Sequence, residues 1–127
     1  MTEQFSISRP EMEAALSLKD QDLFLELGRS GAGPSALPSD PRDLIDLGKR
    51  TFAAQCTRLR GALCSNSQVK HLATETPDDW VAIALEVVKI LVALSTHIAP
   101  IPLAVLLVRK GLRNLCEVEW RNEDARS

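Results

Sequence analysis

Apolar residues recur at helical spacing along most of the chain, and no stretch of useful length alternates apolar and polar positions in the two-residue period of a strand. The clearest pattern runs from Trp80 to Leu94, where only Glu86 and Lys89 are charged. An apolar surface nearly all round marks a helix buried on most sides. This segment is therefore expected to be the central helix, with Leu85 and Val88 in the core and Asp79, Glu86 and Lys89 on a narrow stripe facing water. Thr76-Pro77-Asp78-Asp79 supplies an N-cap, a first-turn proline and first-turn acids. Pro100 and Pro102 disfavour helical geometry in the residues before them, so the predicted helix spans about 77–97 and ends at His97.

A second helix is predicted over 41–63. Asp40 is its N-cap, Pro41 its first residue, and Ile45, Phe52, Cys56, Leu59 and Leu63 form one apolar face. Arg42, Lys49, Arg50, Arg58 and Arg60 populate its other faces. A third is predicted over 102–119, opening at Pro102 and continuing through Leu103, Leu106, Leu107, Leu112 and Cys116. Residues 67–75 add one or two turns anchored by Val69 and Leu72.

The part before residue 40 differs in composition. Residues 1–27 hold six acids against Arg9 and Lys19, a charge of −4, while the remainder carries 13 cations against 11 acids, or +2. Ser8 and Glu11 have capping-box spacing for a short helix from Arg9. A second helix from Asp20 to Leu27 has Gly28 as its stop. Residues 28–41 contain three glycines and three prolines and read as a linker. The expected organisation is an acidic N-terminal helical arm (1–27), a Gly/Pro-rich linker (28–40) and a helical bundle domain (41–127). The fold class is all-α: a small bundle of three main helices with a tethered arm.

A length of 127 residues with 45% hydrophobic and 25% charged residues fits one domain with a real core. A net charge of −2 gives no electrostatic footprint for nucleic acid, and 4% aromatics without Tyr provide no stacking platform. Arg109, Lys110 and Arg113 are explained as cations near a helix C-terminus. Three cysteines (Cys56, Cys64 and Cys116) are an odd, loosely spaced set, not a disulfide framework. Cys56 and Cys64 on one helix are about 12 Å apart along its axis, too far to bridge. Cys56 and Cys116 are expected as small core hydrophobes. No leader or lipidation pattern is visible, so a reducing, cytoplasmic setting is the expectation.

Candidate chemistry is sparse. There is no phosphate loop, dinucleotide fingerprint, nucleophile elbow or zinc-protease motif. Cys56, Cys64, Cys116, His71 and His97 form no local chelating pair, so no metal site is expected. Cys64 and His71 could meet only if the chain folds back between them, and no oxyanion hole is in sight. No catalytic, cofactor or metal residue is assigned, and the chain is read as not an enzyme. Residues 90–108 are uncharged with His97 neutral, but the two prolines divide them. A buried helical hairpin is the first reading. The alternative is a membrane-active hairpin of pore-forming or holin-like type.

The leading function is a non-catalytic protein–protein interaction module (an adaptor, regulator or neutralising protein) that self-associates into a homo-oligomer or binds another protein. The partner-binding set is Leu23, Phe24 and Leu27 as apolar anchors of the arm, with Arg42, Lys49 and Arg60 as the cations that Asp20, Asp22 and Glu26 would face, on the same chain, or with the arm docked on a second copy or a different partner.

Overall fold

The computed structural model describes residues 7–32, 40–94 and 98–126. Among the described residues there is no strand, and seven helices follow in order: α1 (Arg9–Leu16), α2 (Asp20–Ala32), α3 (Pro41–Cys64), α4 (Ser67–Glu75), α5 (Trp80–Ala93), α6 (Pro100–Lys110) and α7 (Leu112–Arg126). The all-α class holds; the three-helix count does not. Local chemistry explains most of the boundaries. Ser8 accepts from Glu11 N, Asp40 from Arg42 N and Asn66 from Val69 N, each satisfying a donor that the helix start leaves open.

Several expected helix ends move. Thr76 does not cap α5. Its backbone N–H and its hydroxyl both donate to Leu72 O, at 2.9 and 3.0 Å, closing α4. Asp79 takes the N-cap position instead and accepts from Ala82 N at 3.1 Å. The predicted single helix over 102–119 breaks at Gly111, whose φ of 121° is open to glycine and costly for other residues. Arg109-Lys110-Gly111 is a C-terminal signature, cations in the last turn followed by glycine. The expected end of the central helix at His97 lies outside the described residues, as do positions 33–39 of the expected linker.

The centre of the core is α6, not α5. Leu103, Ala104, Val105, Leu106 and Leu107 are five consecutive buried residues, so every side of the helix is covered. Helices α1, α2, α5 and α7 surround it. Burying leucines such as Leu103 and Leu106 is worth about 1.5–3 kcal/mol each. In α5, Ile83, Ala84, Val87, Val88 and Leu91 face inward, but Leu85 is only half-buried. Glu86 and Lys89 pair at 3.4 Å on its outer side.

The N-terminal helices belong to the same core. α2 does not stop at Gly28 but continues to Ala32. It packs antiparallel to α3, with Gly28 against Leu44 and Gly48 against Phe24. A Cβ on Gly48 would lie 1.8 Å from Phe24 O, and one on Gly28 2.1 Å from Leu44 O. Only the two glycines allow the helices to come this close. α2 also holds both ends of α6. Ser30 Oγ accepts from Ala99 N at 3.2 Å, and Asp20 pairs with Arg109 and Lys110 at the other end.

Candidate functional site

The sequence-derived binding set divides in two. Leu23, Phe24 and Leu27 are buried in the chain's own core, with Phe24 edge-on to Phe52 at 6.0 Å between ring centroids. They are structural anchors, not a free recognition surface. Arg42 and Lys49 lie exposed on the outer side of α3. Arg60 is engaged within the chain, its Nε 3.2 Å from Glu119 Oε1 of α7. The acids expected opposite α3 do not reach it: Asp20 turns to α6, and Glu26 pairs with Arg29 at 3.5 Å.

Asp20 and Arg109 form the most connected polar cluster. One Nη of Arg109 donates to Asp20 Oδ1 and to Leu18 O, both at 2.8 Å, and the other donates to Leu16 O. The guanidinium thus satisfies carbonyls that the end of α1 leaves open, beside the acid that opens α2. Hydrogen bonds from Lys110 and then Arg109 hold the Asp20 carboxyl below its ordinary range. The cluster is fully paired, and its work is to lock the α1–α2 corner onto α6.

The cysteine expectation is corrected. Cys64 and Cys116 form a disulfide, with Cα atoms 5.2 Å apart and a sequence separation of 52. Spacing along one helix bears only on Cys56 and Cys64; the break at Gly111 returns α7 to the end of α3 and brings Cys116 there. Closing a loop of this length stabilises by about 4 kcal/mol in a chain-entropy account. Trp120 Nε1 donates to Cys64 O at 2.8 Å beside the bond, a buried contact. Cys64 and His71 do line one cleft of about 410 Å³, but with its sulfur in the disulfide Cys64 has no thiol to act as a nucleophile. Cys56 is free and half-buried, and burial pushes its thiol up. Among the described residues no group of three potential ligands could hold a metal ion.

What remains open to a partner is the corner where α4, α5, α6 and α7 meet. Trp80 is the first residue of α5. The Thr76–Asp79 turn sets the start of α5, and Arg9 Nη2 fixes Asp79 at 3.4 Å. Trp80 is 44% exposed. It borders a cleft of about 230 Å³ in which the apolar walls Ala73, Pro77, Ile83, Val108 and Leu112 stand beside the carboxylate of Asp78. Leu18, Val92, Leu94 and Val118 are also exposed, but none of the four borders this cleft. Single exposed apolar residues are ordinary on a protein surface.

The apolar run from Trp80 to Leu94 places Trp80 in a buried helix, and the structure corrects that. Its position directly after the cap Asp79, at the tip of the helix, is the signal in the sequence for exposure. Comparison with known proteins adds no name to this arrangement: no family model, no curated protein and no solved structure matches the chain.

Proposed function

We propose that the chain is a non-catalytic protein–protein interaction module that self-associates through the Trp80 corner. The observation that carries this reading is the half-exposed Trp80 beside a cleft of mixed lining on a body whose other described aromatic residues, Phe24, Phe52 and Trp120, are wholly or partly buried. Tryptophan supplies a large share of the energy at many interfaces because it buries much area with few rotatable bonds. A cleft on the same chain gives a second copy somewhere to place that ring, and a two-fold arrangement would use both clefts at once.

The alternative of a membrane-active hairpin draws no support from α5 and α6. Among the described residues no helix is long and apolar enough to cross a membrane, and the apolar side chains of α6 are already covered. The cytoplasmic expectation stays a proposal. In a reducing compartment, the form with Cys64 and Cys116 joined would be the oxidised state of the chain.

Light scattering coupled to size exclusion tests the function. The wild-type chain should approach twice its 13.9 kDa mass as concentration rises, and Trp80→Ala should remain monomeric with an unchanged helical spectrum. A wild-type protein that stays monomeric throughout, or a Trp80→Ala protein that still dimerises, overturns self-association through this corner.

A further inference from the structure

Helix α7 is attached differently from the other six. It leaves α6 at Gly111, the one described glycine with positive φ, and returns to the end of α3. Among its described side chains, Leu112, Cys116 and Trp120 are buried. Among the described residues three ties join it to α3: the Cys64–Cys116 disulfide, the hydrogen bond from Trp120 Nε1 to Cys64 O, and the ion pair of Glu119 with Arg60. Two of the three converge on Cys64, so the last turn of α3 is the point of attachment. Leu112, Cys116 and Trp120 join the core that Met12, Leu23, Leu91, Leu103 and Leu106 form, and α7 reaches it chiefly over α3 and α6. Cooperative units of unequal stability are the rule in small proteins.

The third cysteine sits under the same helix. Cys56 lines a cleft of about 300 Å³, and Asn114 and Leu115 of α7 form one of its walls.

We propose that α7 is a redox-controlled strap: the Cys64–Cys116 disulfide holds it closed, and reduction by a dithiol frees it to swing about Gly111 and uncover Cys56. This inference does not rest on the Trp80 reading. The chemistry is thiol–disulfide exchange. A dithiol's thiolate attacks one sulfur of the bond, forming a mixed disulfide and releasing the other cysteine as a thiolate that takes up a proton. The second thiol of the reagent then displaces the remaining cysteine. Two electrons pass to the protein, giving two thiols, and the reagent leaves as a cyclic disulfide. Both protein sulfurs are buried, so attack proceeds when α7 loosens. Cys64 also lines the cleft at the α3–α4 turn, which is the side open to a small reagent. Burial keeps the Cys56 thiol protonated and slow while the strap is closed.

The experiment uses the full chain, oxidised or treated with graded dithiothreitol, and reads two signals. Hydrogen exchange should show protection lost over 112–126 and kept in α5 and α6. The rate of alkylation at Cys56, read by peptide mass, should rise roughly tenfold or more on reduction. The Cys64→Ala/Cys116→Ala double variant should reproduce both changes without reductant. If that variant does not fold, the dithiothreitol series on the wild type still decides. Loss of protection in every helix together would make the bond a staple of the whole fold and overturn the strap. Unchanged protection in α7, or an unchanged Cys56 rate, would overturn it equally.

Discussion

Adding one methyl group at Gly48 should separate the two most closely packed helices of the molecule. The new Cβ would sit 1.8 Å from Phe24 O, whereas real Cβ atoms stay beyond 3.0 Å, so α2 must retreat from α3 by about 1.2 Å, the difference of the two values. The obstacle is backbone, which cannot turn aside as a long side chain can. The displacement would spread to Leu23, Phe24 and Leu27, which α2 buries, and to Ser30 and Asp20, which hold the ends of α6. Overpacking of this kind costs about 1–3 kcal/mol and occasionally more. Alanine recovers up to about 1 kcal/mol of helix propensity over glycine. We expect Gly48→Ala to destabilise by up to about 2 kcal/mol net of that gain. Gly61 provides the internal reference, because a Cβ there meets nothing within 4 Å. Gly61→Ala should therefore stabilise the same helix α3 by about 0.4–1 kcal/mol. Urea unfolding of the three proteins measures both numbers. Substitutions that shift stability in the same direction at the two sites would show that α2 and α3 do not approach this closely.

Leu106→Ala in the middle of α6 should cost about 2–5 kcal/mol, and Leu85→Ala, on the half-buried side of α5, clearly less; equal losses in thermal unfolding would contradict the centre assigned to α6. Asp20 has its folded pKa depressed by Lys110 and Arg109, so it adds stability that is fully present above its unfolded value of about 3.9 and is lost as the pH falls through the lower folded value. Its side chain is 37% exposed, so solvent screening keeps the effect to about 1 kcal/mol or less; Asp20→Asn should lose its deficit against the wild type in strong acid, and a deficit that persists there would refute the pairing. Trp120→Phe leaves the Cys64 carbonyl without its buried donor and should cost about 1–3 kcal/mol, with amide protection falling in α7 before α5; a neutral substitution would mean that the bond does not hold α7.

How far the sequence reveals this fold depends on where the deciding contact lies. Asp40-Pro41, Ser8 with Glu11, and Asn66 with Val69 are local, and the helices they start lie within a residue or two of expectation. Gly28 reads as a stop because isolated glycine disfavours helix. Its reason for standing inside α2 is Leu44 O, sixteen residues away on another helix, and no local pattern carries that information. The misassigned centre has a different cause. Residues 80–94 form the longer apolar run, yet Glu86 and Lys89 fix one side of it to water. Residues 100–108 contain no charged or hydrogen-bonding side chain at all, and that shorter, uninterrupted run is the better sign of a helix covered on every side. Gly111 after two cations is legible as a helix end. The disulfide is not, because it depends on the direction α7 takes after that break.

The same features explain why the Trp80 corner is left open. α5 is tied at its start by Asp79, which caps Ala82 and meets Arg9 of α1. That bond draws the N-terminus of α5 toward α1, while Gly111 turns α7 toward the end of α3. Trp80 thus stands at a corner that neither α1 nor α7 fills, although Leu112 and Val108 come near enough to form a wall of the cleft. Leaving a residue of this size 44% exposed forgoes burial worth about 25 cal/mol for each Å² of apolar surface left in water. Association through this corner would recover that burial. An interaction module needs a rigid apolar feature whose surroundings are already fixed by covalent and ionic ties, since ordering flexible groups on binding would consume the gain. Asp79 on one side and the Cys64–Cys116 bond on the other supply that rigidity, which is why the corner, and not the charged outer side of α3, carries the proposed contact.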